Sequence, residues 1–261
     1  MQTLFRPRLG RVARCLMLTT LLAAPALAQS APPLSTPPLR VYGPGGPATA
    51  MKECAAAFTK QTGLAVEVTA GPEPQWLPQA AQDADLVYGG AEYMLTQTAL
   101  AHPGLVDEAS RTSLYARASA VLVRTGNPLH IKRLEDLTKE GVRLLDVNGA
   151  GQMGMTEDMA RTPALIANLQ HNTRTSVKTS AEAVALWQQQ PQAYDAWITY
   201  ASWQPRLPGS ALVRLPRAQR VSRGTPIALT QRTTQAATAR QFVAFLKSAE
   251  GHAIFRRNGW E

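Results

Sequence analysis

From residue 39 onward the sequence alternates short apolar runs with stretches of helical periodicity, and few architectures satisfy that alternation. Residues 39–42 are an apolar run, followed by the turn Gly43-Pro44-Gly45-Gly46. Residues 47–61 then carry apolar side chains at helical spacing and would bury Met51, Cys54, Ala55 and Phe58. Pro47 suits a first helical turn, where its missing N–H would have no partner anyway. Gly63 stops that helix, and residues 64–69 alternate as a strand. Gly71-Pro72-Glu73-Pro74 breaks the chain before Gln75 and Trp76 open another helix. Residues 85–88 form a third strand, and Gly89-Gly90 leads into a helix over 92–100. This order predicts a parallel sheet flanked by helices, with ligands taken at the carboxyl ends of its strands.

The second half repeats the scheme. A long strand over 115–124 is suited to leave a first lobe and enter another, with a hinge near 119–125. Beyond it come a short helix (134–139), a strand (142–147), the turn Asn148-Gly149-Ala150-Gly151 and a helix over 152–169. A helix (180–189), a strand (194–199), returning strands (212–215 and 221–229) and helices over 233–247 and 250–256 complete the chain. Thr233 and Thr234 are candidate N-caps for the first of the last two helices. The division predicted is a first lobe of residues 39–120 plus 220–261 and a second lobe of 121–219.

Ahead of this fold, Arg6, Arg8, Arg11 and Arg14 precede an apolar run from 16 to 24 that ends in Ala26-Leu27-Ala28. That is the pattern of a secretory signal peptide (1–28), with cleavage expected after Ala28 and a periplasmic destination. The run is too short for a membrane span of about 20 residues, so no stable membrane anchor is expected. Residues 29–38, rich in proline, read as a flexible lead-in. The chain carries a formal charge of +9, and the leader's four arginines account for only part of it. A basic remainder draws anions toward a cleft. The arginines are scattered and not interleaved with aromatics, so nucleic acid is not an expected partner. Cys54 alone follows the leader, which leaves no internal disulfide and makes the core the source of stability.

Three glycine-rich turns that pass from a strand to a helix carry the functional expectation: residues 42–47, 70–76 and 148–154. Each is also what an ordinary α/β turn looks like. Glycine lets backbone approach a ligand, and the helix start beyond it presents unpaired N–H groups in a field that favours negative charge. Gly149, Gly151 and Gly154 match a dinucleotide fingerprint, but the acidic residue required about 20 positions further on is missing from 170–178. No nucleophile elbow and no grouping of His102, His130, His171 or His252 with a serine or a metal-ligand pair occurs, so no metal or other cofactor is expected, and a periplasmic enzyme using the same cleft is the lesser alternative to a non-enzymatic binding protein. Asp83 and Asp85 read as caps. Trp197, Tyr200, Ser202 and Trp203 gather around a strand end, where the hydroxyls and indole N–H groups are donors suited to an anion.

The combination of Val41-Tyr42-Gly43-Pro44-Gly45-Gly46-Pro47, Gly71-Pro72-Glu73-Pro74-Gln75-Trp76, Gly126-Asn127-Pro128, Asn148-Gly149-Ala150-Gly151-Gln152 and the closing Gly259-Trp260 resembles the accessory colonization factor C family, itself similar to molybdate- and sulfate-type periplasmic binding proteins. The resemblance runs from about residue 39 to the C-terminus. It implies a type II periplasmic binding fold, α/β in class, with two lobes joined by a two-strand hinge and a small anion held between them. It further implies delivery to an inner-membrane ABC transporter permease or a chemoreceptor, by a monomer. Carried over residue by residue, it places Tyr42, Gly43, Gly45 and Gly46 in a first contact loop and Gln75 and Trp76 in a second. Ala150, Gly151 and Gln152 fall in a third, with Tyr200 beside them as hydroxyl donor. The pattern departs at Thr156, where a tryptophan would be expected, and in the first two loops, where glycine and proline replace serines. Those departures leave open whether the anion is an inorganic oxyanion, or an organic acid or sulfated organic compound with Trp76 or Trp203 stacked on its carbon.

Overall fold

A computed structural model describes residues 37–261, so the leader and nearly all of the lead-in lie outside the described residues. In chain order the first part contains β1 (Leu39–Gly43), α1 (Ala48–Thr62), β2 (Val66–Ala70), α2 (Glu73–Asp83), β3 (Leu86–Tyr88), α3 (Glu92–Ala101) and β4 (Thr112–Ser113). The middle contains β5 (Arg117–Arg124), β6 (Leu144–Val147), α4 (Met155–Ala160), α5 (Pro163–Asn172), β7 (Thr173–Val177), α6 (Ser180–Gln189), β8 (Ala196–Tyr200) and β9 (Ser210–Val213). The chain then returns through β10 (Ser222–Arg223), β11 (Pro226–Leu229), α7 (Ala236–Leu246) and α8 (Ala249–Arg257).

These strands form two sheets, each the centre of one α/β lobe. The first has the order β2-β1-β3-β11-β4, and the second β10-β5-β8-β6-β7 with β9 on the far side of β5. β1 is parallel to β2 and β3, and β6 is parallel to β7 and β8, so the turns after β1, β2 and β6 lie at carboxyl ends. Two segments connect the lobes, running from Ser113 to Arg117 and from Arg223 to Pro226. They run side by side, Leu114 N–H donating to the Thr225 carbonyl at 3.0 Å. The passage therefore comes before 119–125, where the sequence suggests a hinge. β5 belongs to the second sheet along its whole length, and a boundary at residue 120 would cut it.

The first lobe packs α1, α7 and α8 on its sheet. Phe58 of α1 meets Phe242 and Phe245 edge-on, with ring centroids 5.3 and 5.7 Å apart. Fully burying such a side chain contributes about 1.5–3 kcal/mol. Gly63, at φ 74°, ends α1 by returning its N–H to Thr59, a left-handed turn that a side chain would resist. Cys54 is fully buried in this core, and burial raises its thiol to about 12, which leaves it inert.

The structure corrects three local expectations and adds one strand. The helix expected over 152–169 is a short turn followed by α4 and α5, because Pro163 cannot extend a helix and holds Thr162 extended, where its hydroxyl caps α5. The run 221–229 is two strands in different sheets. Thr173–Val177, a polar stretch with no apolar run to announce it, is the edge strand β7. Thr233 and Thr234 do not cap α7: the helix starts at Ala236, and the Thr233 hydroxyl bonds Asp85.

Candidate functional site

The glycine turns converge. The turn after β1 and the turn after β2 lie side by side, Gly71 N–H donating to the Gly43 carbonyl at 3.1 Å. Together they form one wall of a cavity of about 220 Å³, lined by Pro44, Gly45, Gly71, Pro72, Glu73, Pro74 and Met94 from the first lobe and by Lys178, Thr179, Ser180 and Ala181 from the second. The third turn stands beside it. A Cβ on Gly149 would lie 2.4 Å from the Lys178 carbonyl, and one on Gly151 would lie 2.9 Å from the Gly90 carbonyl in the opposite lobe. Only glycine admits so close an approach. A direct hydrogen bond also crosses there, the Met153 N–H donating to the Tyr93 hydroxyl at 3.0 Å.

Behind the cavity lies Arg117, the first residue of β5 and only 2% exposed. Its Nη2 donates to the Gly90 carbonyl, and its guanidinium lies 4.0 Å from the Tyr200 ring centroid and 5.4 Å from that of Trp260. A Cβ placed on Gly46 would come within 2.8 Å of Nη1. Gly90 links this cation to the cavity, since Pro44 and Met94 each approach a Cβ position on it to within 3.4 Å or less. The Arg117 Nε has no partner, and among the described residues no carboxylate forms an ion pair with Arg117. Burial accordingly lowers its pKa from the ordinary arginine value. An uncompensated ion in the interior costs several kcal/mol, so such a group marks a place where a counter-charge belongs.

The residues named from the sequence divide into those that border the cleft and those used internally. Gly45 lines the cavity, and Gly46 and Gly151 face Arg117. Gln152 is buried, its amide donating to the Ser180 hydroxyl at 2.8 Å and its Oε1 without a partner. Ala150 lies in the turn between β6 and α4. The Tyr200 hydroxyl, expected to serve the ligand, donates to the Gly151 carbonyl, and burial raises its pKa to about 12. Tyr42 donates to Asp83 at 2.8 Å, with its ring against Trp76, inside the α2 packing. Trp76 is 3% exposed and its indole N–H donates to the Gly71 carbonyl at 3.2 Å, so it supports its own turn and cannot stack on a ligand. Trp203 is also buried, with the Arg206 guanidinium 4.0 Å from its ring centroid. Gly43 packs under the Tyr88 ring, and Gln75 is exposed. Asp83 and Asp85 cap no helix but hold the N-terminal edge of β1, bonding the Arg40 side chain and backbone. Thr156 bonds Asp146 at 3.0 Å. Arg117 was not singled out from the sequence, although an arginine within an otherwise apolar strand is the kind of exception that signals a site.

Two lobes, two connecting segments and a cleft bordered by strand ends define a two-lobed binding protein of the type II periplasmic class. The family model for bacterial extracellular solute-binding proteins matches residues 39–261, and the chain belongs to that family. Its structure is similar to PEB3 bound to L-phospholactate, at 31% identity and a TM-score of 0.78 over 85% of this chain and 99% of that one. PEB3 from Campylobacter jejuni appears again at 30% identity and a TM-score of 0.76, over 85% and 99% of the two chains. The fold is shared with the sulfate-binding protein SubI from Mycobacterium tuberculosis (18% identity, TM-score 0.73, 86% of each chain). It is shared also with the periplasmic molybdate-binding protein of Azotobacter vinelandii (20%, TM-score 0.66, 85% and 98%). Comparison with curated protein sequences gives no match. No helix among the described residues is long and apolar enough to cross a membrane.

Proposed function

We propose that this protein is a periplasmic receptor that holds a small anion between its lobes and presents it to an inner-membrane ABC transporter permease or a chemoreceptor. The observation that carries the reading is the buried Arg117 guanidinium, beside the cavity and unpaired with any carboxylate among the described residues. Charge-assisted hydrogen bonds from it, and from the N–H groups of the glycine turns and of the α6 start, contribute about 1.5–3 kcal/mol each, and a few of them reach micromolar affinity. The lobes correspond to the two sheets, and export through the leader would place the protein in the periplasm.

Two ligand classes fit an anion site. A sulfate- or molybdate-type oxyanion agrees with the ligands named for two structural neighbours. An organic anion is favoured by the first-lobe wall, where Pro44, Pro72, Pro74 and Met94 offer carbon surface and few donors. The phospholactate of PEB3 is of this second kind. Thermal unfolding in the presence of sulfate, molybdate, phosphate, L-phospholactate and simple carboxylates separates the classes, since a ligand at 100 times its Kd adds about 2.7 kcal/mol. The expected result is stabilisation by phosphorylated or sulfated organic acids beyond that by sulfate or molybdate. Stabilisation by neutral sugars and by none of these anions would overturn the reading.

A further inference from the structure

Among the described residues, Glu73 is the one acidic residue lining the cavity, and it stands in the first-lobe wall. A carboxylate there repels the anion that the rest of the cleft attracts, so its place needs a reason. The helix supplies only part of one. Glu73 is the first residue of α2 and lies in the field of that helix start, where negative charge is favoured. Its Oε1 accepts from the Thr98 hydroxyl of α3 at 3.0 Å. That bond leaves the charge unanswered, because the hydroxyl is neutral and no ion pair involves Glu73 among the described residues. The side chain is half-buried, so its charge acts on whatever fills the cavity beside it.

The second-lobe wall has the opposite sign. Lys178 lines the cavity together with Thr179, Ser180 and Ala181 at the start of α6, and Arg117 lies buried behind it. No acidic residue of that lobe lines the cavity among the described residues. The cavity is therefore dipolar, negative in the first lobe and positive in the second. Pro44, Pro72, Pro74 and Met94 make the remainder of the first-lobe wall largely carbon. A bare oxyanion satisfies the positive wall and is repelled by the other. A small molecule with an anionic group at one end, a short carbon link and an ammonium at the other satisfies both.

Resting on the anion reading given above and narrowing it, we propose that Glu73 is a specificity residue of this receptor and that the ligand is an amino-substituted organic anion. Its phosphate, phosphonate or sulfonate group faces the second lobe, and its ammonium donates to Glu73. A hydrogen bond to a charged group, formed on binding, raises affinity by about tenfold. Glu73 also rejects. An anion without the ammonium leaves the carboxylate unpaired beside a like charge, which is the repulsive element that discrimination requires.

The test is calorimetry with O-phosphoethanolamine and ethyl phosphate, which share a phosphate on the same carbon link and differ by the ammonium, on the wild type and Glu73→Gln. The wild type should bind O-phosphoethanolamine about tenfold more tightly than ethyl phosphate. Glu73→Gln, whose side-chain carbonyl can still accept from Thr98, should bind ethyl phosphate severalfold better than the wild type does and show no preference for O-phosphoethanolamine. A merely structural role for Glu73 would lower both affinities together and keep their ratio, and that outcome overturns the inference. Equal affinities in the wild type overturn it as well. If Glu73→Gln does not fold, as judged by circular dichroism, Glu73→Ala carries the same comparison. A wild type that binds neither of these, nor L-phospholactate, phosphate or sulfate, sinks the anion reading itself, whereas binding of both without preference sinks the role of Glu73 alone.

Discussion

The starts of α2 and α6 border the same cavity from opposite lobes, and their chemistry is opposed. α2 begins Pro72-Glu73-Pro74, which removes two N–H donors, and the next, that of Gln75, turns back to the Pro72 carbonyl at 3.0 Å. α6 begins under a reciprocal cap, the Thr179 hydroxyl accepting from Glu182 N–H at 3.2 Å and Glu182 accepting from Thr179 N–H at 2.8 Å. That leaves Ser180 and Ala181, in the first turn of α6, lining the cavity together with Lys178. Arg117 and Arg206 belong to the same lobe. One fold position is thus built in two ways: the second lobe lines the cavity with Lys178 and two hydroxyl side chains, and the first with carbon surface, the Glu73 carboxylate and the backbone of Gly45. A glycine turn ahead of a helix is not an anion cradle by topology alone; the residues in the first turn of the helix decide.

The division of labour can be broken in several places. The largest effect is expected from Gly151→Ala, whose new methyl would meet the Gly90 carbonyl at 2.9 Å and hold the lobes apart. Overpacking of about 1–3 kcal/mol should weaken anion affinity by roughly 5- to 150-fold in calorimetry, with little change in unfolding of the unliganded protein. Next is Thr179→Ala, which removes the α6 cap and should cost about 1 kcal/mol of stability by denaturant unfolding. Met94→Ala tests the carbon wall: affinity for L-phospholactate should fall by about 1 kcal/mol while that for sulfate is unchanged, and equal losses would erase the contrast between lobes.

A smaller effect concerns the second lobe alone. Hydrogen bonds from Arg143 hold the Asp195 carboxyl below the usual carboxylate range, against the effect of burial. A depressed folded-state pKa means that this contribution is present above the unfolded value of about 3.9 and is lost as pH falls through the lower folded value. The stability profile should therefore fall below about pH 4, and Asp195→Asn should flatten that fall by at most about 1 kcal/mol, the pair being partly exposed. Lys178→Ala should be smallest, a loss of affinity of about threefold that disappears at high salt, as suits an exposed cation at the cleft mouth.

What the sequence made legible follows from locality. Strand, glycine turn and helix succeed one another within about ten residues, so the turns at 43–46, 71–74 and 148–151 and the lobe architecture could be read directly. The break at Pro163 was equally local, but helical periodicity on both sides concealed it. Tyr42, Trp76 and Tyr200 look like ligand donors because they flank those turns, yet their polar atoms satisfy Asp83, Gly71 and Gly151. Whether a donor is free depends on partners that periodicity cannot rank. Contacts such as Met153 with Tyr93 and Arg206 with Gly46 join residues 60 and 160 positions apart, and no local pattern announces them. Arg117 is the intermediate case, visible as a charge in an apolar strand, its meaning supplied only by the absence, among the described residues, of a carboxylate in ion-pair contact with it.

The most direct test of the uncompensated charge is thermal unfolding of Arg117→Met with and without L-phospholactate. Removing a buried unpaired cation should leave the unliganded variant at least as stable as wild type and abolish the rise in Tm that the wild type shows with ligand. A variant that is destabilised without ligand yet rises as far as wild type on its addition would contradict Arg117 as the counter-charge.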